Sequence, residues 1–325
     1  MRAIVVREAG DPSALRLEEL PAPSPGPGEV TVDVTYAGTG FVDTLFRSGA
    51  LPAPLPFVPG IEVTGTIREV GEGVTGLASG DVVGALLNDF GRGWRAGGYA
   101  SVAVAHHTMT VPLPAGADLA RVTAVLINGV TAWLALRDLA RTASTDSVVV
   151  LGASGGLGGT TCRLAALLPT RRVTGVVSRD VSRAPAACTD VVLSDGFGEW
   201  IADPANAPDV VIDPVGGELR AAAFGHLAPF GRQVILGNAS GDDPPLSGDG
   251  IWHGSRVVSG LSLGATAHLV VPQIQAALYG LVDLLARGAL DEPMPAVAAL
   301  GDAAAVHQAF ADRTAPPKTV LDASA

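Results

Sequence analysis

Two hydrophobic rhythms divide the chain. Up to about residue 115, short β-rich runs alternate with turn residues: Ala3 to Val6, Glu29 to Gly38, Glu62 to Gly71, Gly80 to Leu87 and Tyr99 to Ala105. The proline- and glycine-rich stretch from Pro21 to Gly28 lies between strand-like runs and reads as a rigid loop, not a linker. From about Leu119 the period becomes that of a helix, through Ala140, and then apolar runs alternate with helical stretches. Those runs are Ser147 to Gly152, Arg172 to Ser178, Asp190 to Ser194, Asp209 to Gly216, Arg232 to Asn238 and Arg256 to Gly260. Strands that are apolar throughout, separated by helices, are buried on both faces, which predicts a parallel sheet. Beyond Gly260 the pattern predicts a helix over Ile274 to Arg287, a strand over Met294 to Leu300, a helix over Asp302 to Phe310 and a strand over Thr319 to Leu321. The fold class is therefore α/β: a β-rich domain over residues 1–120, a doubly wound parallel-sheet domain over 121–261, and a return to the first domain over 262–325.

Composition narrows the functions such a fold can carry. With 325 residues, 48% hydrophobic and 16% charged, the chain can fill two cores. A net charge of −11, with no basic run beyond Arg171-Arg172, leaves a duplex-binding surface nothing to work with, so nucleic acid is not an expected partner. Cys162 and Cys188 alone make neither a disulfide scaffold nor a cysteine-rich zinc lobe. Glu8 interrupts the N-terminal run, and Pro272, Gln273, Gln275 and Asp283 break the most apolar late stretch, so the chain reads as cytoplasmic and free of the membrane. Lys318 is the only lysine, which gives Schiff-base chemistry a single candidate.

The chemistry concentrates where the strand Val148 to Leu151 runs into Gly152-Ala-Ser-Gly-Gly-Leu-Gly158 and a helix. Strand, glycine turn and helix in that order fit a dinucleotide fingerprint, with Ala153, Gly155 and Gly158 in the three glycine positions. The second strand ends about 20 residues later at Ser178 and Arg179, with Asp180 next and Arg183 close by. A hydroxyl and guanidinium groups there suit a 2′-phosphate, so NADPH is favoured over NADH, which Asp180 keeps as the alternative. The same glycines spell a rival motif. Gly152-Ala-Ser154-Gly-Gly156 matches a nucleophile elbow, and Asp213 with His226, His253, His268 or His307 supplies the chain order of a serine hydrolase. Against it stand the extra Gly158, a β-rich front half and no upstream oxyanion segment.

Several further strings stand in register with these: Tyr36-Ala-Gly-Thr-Gly-Phe-Val-Asp-Thr-Leu-Phe-Arg-Ser-Gly49, Pro56-Phe-Val-Pro-Gly-Ile-Glu-Val-Thr-Gly65, the stretch Gly71 to Val83, Gly97-Gly-Tyr-Ala100, Thr131-Ala-Trp133, Asp213-Pro-Val-Gly-Gly217 and Gly237-Asn-Ala-Ser-Gly241. Together they resemble the medium-chain dehydrogenase/reductase superfamily, in its zinc-free quinone oxidoreductase branch, over nearly the full length. The resemblance implies a GroES-like catalytic domain beside a Rossmann domain that binds NADPH. It implies that Ser154, Gly155, Gly156 and Leu157 meet the pyrophosphate, that Ser178, Arg179 and Arg183 meet the adenosine phosphate, and that Thr131, Gly237 and Asn238 line the nicotinamide side. Gly40, Asp43, Leu45, Trp94 and Trp252 are expected to line a substrate cleft between the domains, and a homodimer is expected on the same ground.

Departures from the family pattern bear on the reaction. Zinc-dependent relatives place Cys at the position of Gly40 and His at that of Ile61, and neither replacement has a donor atom, so no zinc is expected. Quinone oxidoreductases commonly carry Asn at the position of Gly40 and Tyr at that of Leu45, so water, Tyr99 or a histidine is left as a proton source. The expected function is zinc-independent hydride transfer from NADPH to a quinone-type acceptor. The alternatives are an enoyl-thioester or 2-alkenal reductase on the same scaffold, the Ser154 hydrolase, and an NADPH-binding sensor without turnover.

Overall fold

A computed structural model describes residues 1–87 and 97–324, which fall into two units. The first comprises Met1–Ile127, Gly264–Gly288 and Glu292–Ala325, and the second Asn128–Leu263 with Ala289–Asp291.

In the second unit, the apolar runs form one sheet of six strands among the described residues, every neighbouring pair parallel. Its order across the sheet is Asp190–Leu193, Arg172–Val177, Ser147–Leu151, Val210–Asp213, Arg232–Ile235, Val257–Gly260. The first strand in sequence, Ser147–Leu151, lies inside, and the chain winds outward from it in both directions. It is accordingly buried at all of its positions, which is why its sequence shows no polar alternation. Helix Gly156–Leu167 connects it to Arg172–Val177. No α-helix follows that second strand: only a short 3₁₀ turn, Val181–Arg183, precedes Asp190–Leu193. Pro185, which lacks an N–H, stands where a helix would have to continue.

In the first unit, Glu29–Gly38 organises a seven-stranded sheet among the described residues. One edge of this strand pairs with Glu62–Val70. Its other edge is shared: residues 29–33 pair with Val102–His106, and residues 36–38 pair with the last strand, Thr319–Asp322. The C-terminal residues thus complete a sheet begun by the N-terminal ones. Ala296–Ala299 extends it beyond Thr319–Asp322, while Val82–Leu86 and Thr110–Pro112 extend it beyond Glu62–Val70. The core beneath includes Val6, Val30, Val32, Val63, Val83, Ala103 and Leu321. The expected late elements are present as Val271–Ala286, Ala296–Ala299, Ala303–Ala311 and Thr319–Asp322. The helical stretch Leu119–Leu139 is long and apolar enough to cross a membrane, with 67% of its apolar window buried within the protein.

A buried ion pair fixes where the chain returns. Lys318, just before the last strand, pairs with Oε1 of Glu62 at the start of Glu62–Val70. The other carboxylate oxygen accepts the Ile127 N–H at 2.7 Å. Gly38 makes room for this carboxylate, since a Cβ there would lie 2.2 Å from Glu62 Oε1. With side chains 8% and 1% exposed, neither charge has water to fall back on. Lys318→Met is therefore expected to cost about 3–5 kcal/mol in urea unfolding. Adding Glu62→Gln should recover most of that loss; if the double variant is equally unstable, packing rather than charge is responsible.

Candidate functional site

The wholly buried strand Ser147–Leu151 delivers the chain to a turn that must reverse at once. Gly152 does this with φ +69°. Gly158 then lets the following helix pack on the turn, because a Cβ there would lie 2.2 Å from the Gly152 carbonyl oxygen. Gly155, the N-cap of helix Gly156–Leu167, is exposed and gives the first helical turn no side-chain cap. The nearest heavy atom to a Cβ added there is Gly152 O at 3.4 Å, so the space over the helix N-terminus is left open. Ala153 is buried beneath it, while Ser154, Gly156 and Leu157 are half-buried. Peptide N–H groups and the positive end of the helix dipole there suit an anion.

Neighbouring strands end at the same place. A Gly152 Cβ would lie 3.0 Å from Val215 Cγ2, a Gly237 Cβ 3.3 Å from Pro214 O, and a Gly216 Cβ 2.2 Å from Asn238 Oδ1. The loops after Ser147–Leu151, Val210–Asp213 and Arg232–Ile235 thus gather where the strand order reverses, the place where open α/β sheets bind ligands. Gly237 and Asn238 are exposed in this cluster, and Thr131 is half-buried on helix Leu119–Leu134.

At the end of Arg172–Val177, Ser178, Arg179 and Arg183 are exposed. The carboxylate of Asp180 accepts the Ser182 N–H at 2.9 Å and caps the 3₁₀ turn. The Ser182 hydroxyl and N–H hold Asp180 below the usual carboxylate range. The acid is engaged by its own loop, and the adjacent guanidinium of Arg179 has no protein partner among the described residues.

Asp213 does not serve a hydrolase relay. Fully buried, it accepts from the Val215 and Gly216 N–H groups, each at 2.8 Å, and from Arg220 Nε at 2.6 Å, with Gln233 Nε2 at 3.4 Å. No histidine is among its partners. Arg220 also donates to Gly237 O at 2.5 Å and pairs with Asp243, so this link braces the loop cluster. Trp252 is 73% exposed and its ring stands 4.1 Å from that of His253. Trp94 lies outside the described residues.

In the first unit, Gly40 caps helix Phe41–Ser48, on which Leu45 is half-buried. Asp43, the third residue of that helix, reaches back to accept the Gly40 N–H at 2.8 Å and also accepts the Gly60 N–H at 3.2 Å and the Tyr99 hydroxyl at 3.3 Å. His307 Nε2 stands 3.1 Å from the same hydroxyl. The Tyr99 hydroxyl is satisfied when it donates to Asp43 and accepts from His307 Nε2–H. Asp43, Tyr99 and His307 are 1%, 0% and 0% exposed, so the network is turned into the core of its unit. Burial pushes the Asp43 carboxyl up to about 6 and the Tyr99 phenol well above its usual value. Burial, and then the Arg47 charge, push the His307 imidazole down to about 4.

Sequence reasoning took Asp43 for a cleft residue, His307 for a possible triad member and Tyr99 for a possible proton source; it did not join them. The Arg220 brace on Asp213 and the pairing of Lys318 with Glu62 also escaped it. The one signal for the last was the isolation of a single lysine in an otherwise arginine-only chain.

Comparison with known proteins agrees with this architecture. Residues 26–115 match the alcohol dehydrogenase GroES-like domain. A quinone oxidoreductase of Pseudomonas aeruginosa is 29% identical over 333 aligned positions, covering 96% of each chain. The human synaptic vesicle membrane protein VAT-1 homolog is 30% identical over 250 positions, covering 74% of this chain and 62% of its own length. A mycobacterial protein solved in complex with NADPH superposes with a TM-score of 0.88 at 28% identity, covering 99% of each chain. The chain belongs to the medium-chain dehydrogenase/reductase superfamily, in its quinone oxidoreductase branch.

The buried network makes a pH prediction with opposed signs. Asp43 takes up its proton near pH 6 in the fold against 3.8 unfolded, so it adds stability as pH falls through that window. His307 takes up its proton near 4 in the fold against 6.5 unfolded, so it removes stability as pH falls through nearly the same window. The two contributions nearly cancel. Asp43→Asn keeps one acceptor oxygen, which can serve the Gly40 N–H and the Tyr99 hydroxyl, but deletes the first contribution. The stability of the wild type relative to this variant should therefore grow by about 3 kcal/mol between neutral pH and pH ~4. Urea unfolding across that range checks it; a constant difference would show that Asp43 titrates as an ordinary carboxylate.

Proposed function

We propose that this protein is an NADPH-dependent oxidoreductase that reduces quinone-type acceptors without zinc. The observation that carries the cofactor reading is the open N-terminus of helix Gly156–Leu167 beside a strand end that offers Ser178 and Arg179 and engages its only nearby acid. A Cβ at Gly155 would meet nothing closer than 3.4 Å, which leaves the backbone there open to the approach of a pyrophosphate. Ser154, Gly155, Gly156 and Leu157 would hold that group, Ser178, Arg179 and Arg183 the 2′-phosphate, and Thr131, Gly237 and Asn238 the nicotinamide side. The NADPH complex of the mycobacterial neighbour supports the same choice. When bound, the cofactor supplies the hydride. The Arg220 link to Asp213 and Gly237 O keeps the nicotinamide-side loop in place.

Zinc does not fit the residues present. Gly40 and Ile61 carry no donor atom where the family's zinc-dependent members place ligands. Among the described residues no three His, Cys, Asp or Glu side chains group to hold a metal. On this reading the acceptor is one that takes hydride without a Lewis acid.

The proton supply favours a quinone over an enoyl thioester. Leu45 offers no phenol, and the Tyr99 hydroxyl is sealed between Asp43 and His307. A reduced quinone is a stabilised phenolate that water can protonate, whereas an enolate needs an acid placed at carbon. The name of the Pseudomonas aeruginosa relative points to the same acceptor class.

The test is the loss of NADPH or NADH absorbance with benzoquinone, phenanthrenequinone, crotonyl-CoA and 2-hexenal, with a chelator present. NADPH turnover with the quinones is expected; faster turnover of crotonyl-CoA or hexenal would overturn the acceptor reading. Arg179→Ala should lower the preference for NADPH over NADH about tenfold while leaving kcat with NADH near the wild-type value. Ser154→Ala should keep most of the turnover, which a serine nucleophile does not permit.

A further inference from the structure

A buried guanidinium in the first unit has no counter-charge. Helix Phe41–Ser48 buries Asp43, Thr44 and Arg47. Residues four apart on a helix share a face, so Arg47 follows Asp43 one turn nearer the C-terminus. Through the Tyr99 hydroxyl, Asp43 joins this face to His307 on helix Ala303–Ala311. That second helix packs on helix Phe41–Ser48 and on the 3₁₀ turn Pro12–Ala14. The chain entering the turn meets the end of the first helix: the Gly10 N–H donates to Arg47 O at 3.0 Å, and a Cβ at Gly49 would lie 3.1 Å from Ala9 Cβ. In this corner Arg47 is 6% exposed, and its Nε and Nη1 are buried without an acceptor among the described residues.

The surrounding elements do not supply the missing charge. Helix Ala303–Ala311 carries no acid, and the buried Nδ1 of its His307 accepts no bond from Arg47. Asp43 has its oxygens engaged by the Gly40 and Gly60 N–H groups and by Tyr99. Asp11 is the one acid in residues 9–14. Its Oδ1 accepts the Ser13 N–H at 2.8 Å and the Ser13 hydroxyl at 2.6 Å, and it makes no bond to Arg47 Nε or Nη1. The carbonyl end of helix Phe41–Ser48 favours a cation but contributes only partial charge. Burial accordingly lowers the proton affinity of the guanidinium, and the Asp11 charge offsets only part of that. An arginine nevertheless stays protonated, and an ion kept from water without a counter-ion is strongly unfavourable.

We infer that the corner formed by helices Phe41–Ser48 and Ala303–Ala311 and residues 9–14 is a binding site for a small monovalent anion of the halide class, held by the Arg47 guanidinium. The size follows from the walls: with Ala9 close against Gly49 and Arg47 almost wholly covered, the corner suits a single ion and not a phosphate ester. The inference is independent of the cofactor reading, since every group it uses belongs to the first unit.

The test uses the full-length protein in a chloride-free gluconate buffer, with sodium chloride replacing gluconate at constant ionic strength. Between zero and about 0.2 M chloride, the folding equilibrium constant from urea unfolding should rise about tenfold, the response of a site with a Kd on the order of 20 mM. Wild type should also broaden the NMR line of chloride, and bromide should compete that broadening away. Arg47→Met keeps the length of the side chain and drops its charge; it should match or exceed the stability of wild type in gluconate and respond to chloride in neither measurement. Crystals of wild type soaked in bromide should show an anomalous peak in hydrogen-bond contact with Arg47, which decides the matter even if Arg47→Met does not fold. No chloride response in wild type, an equal response in Arg47→Met, or bromide bound only away from Arg47 would each overturn the inference.

Discussion

A carbonyl oxygen 2.2 Å from where a side chain would begin decides what the second unit can do. Any residue but glycine at position 158 would push helix Gly156–Leu167 away from the end of strand Ser147–Leu151. With glycine, the helix starts directly over a buried strand and its first N–H groups are left without a side-chain cap. The neighbouring loops inherit their positions from this contact. Val215 packs on Gly152, Pro214 on Gly237, and the Arg220 link to Asp213 ties them together. An uncapped helix N-terminus and the loops gathered beside it are thus consequences of one close approach between backbone atoms.

The first unit solves a different problem: how to bury charge in a β-rich core. Lys318 and Glu62 neutralise each other, and the remaining carboxylate oxygen is satisfied by a backbone N–H. Asp43 has no cation within hydrogen-bond reach; two N–H groups and a phenol hold it, and burial raises its proton affinity in spite of the N–H bonds. Sealed from solvent, Asp43, Tyr99 and His307 tie the helix Phe41–Ser48 to the helix Ala303–Ala311, which come from opposite ends of the chain. These side chains anchor the fold of their unit.

Period and glycine spacing made most of this architecture legible. The six apolar runs from Ser147 to Gly260 became the six parallel strands, because strands buried on both faces carry no alternation that could mislead. Short or exposed elements were harder: the strand Leu15–Glu19 and the helices Phe41–Ser48 and Gly248–His253 have too few turns or too little apolar face to stand out. The glycine turn was readable since its spacing between a strand and a helix is local. The Asp43, Tyr99 and His307 network was not, because its members lie 56 and 208 positions apart and meet only in the fold. The engagement of Asp180 with its own loop was equally hidden, since a carboxylate at that position reads as a ribose ligand until its hydrogen bonds are seen.

Three positions narrow the chemistry on the proposed reading. Gly40 and Ile61 remove the donors a metal would need, and Leu45 removes a phenol. A carbonyl or enoyl acceptor becomes strongly basic as hydride arrives, and the barrier then depends on a Lewis acid or a proton placed at the reacting atom. A quinone becomes aromatic at the same moment, and the charge it gains is delocalised over a ring that water can protonate afterwards. The losses that would disable a metal-dependent dehydrogenase therefore cost a quinone reductase little. On the proposed function, what such an enzyme still requires is orientation of the nicotinamide, the task that the glycine turn, the Arg220 brace and the strand-end loops would serve.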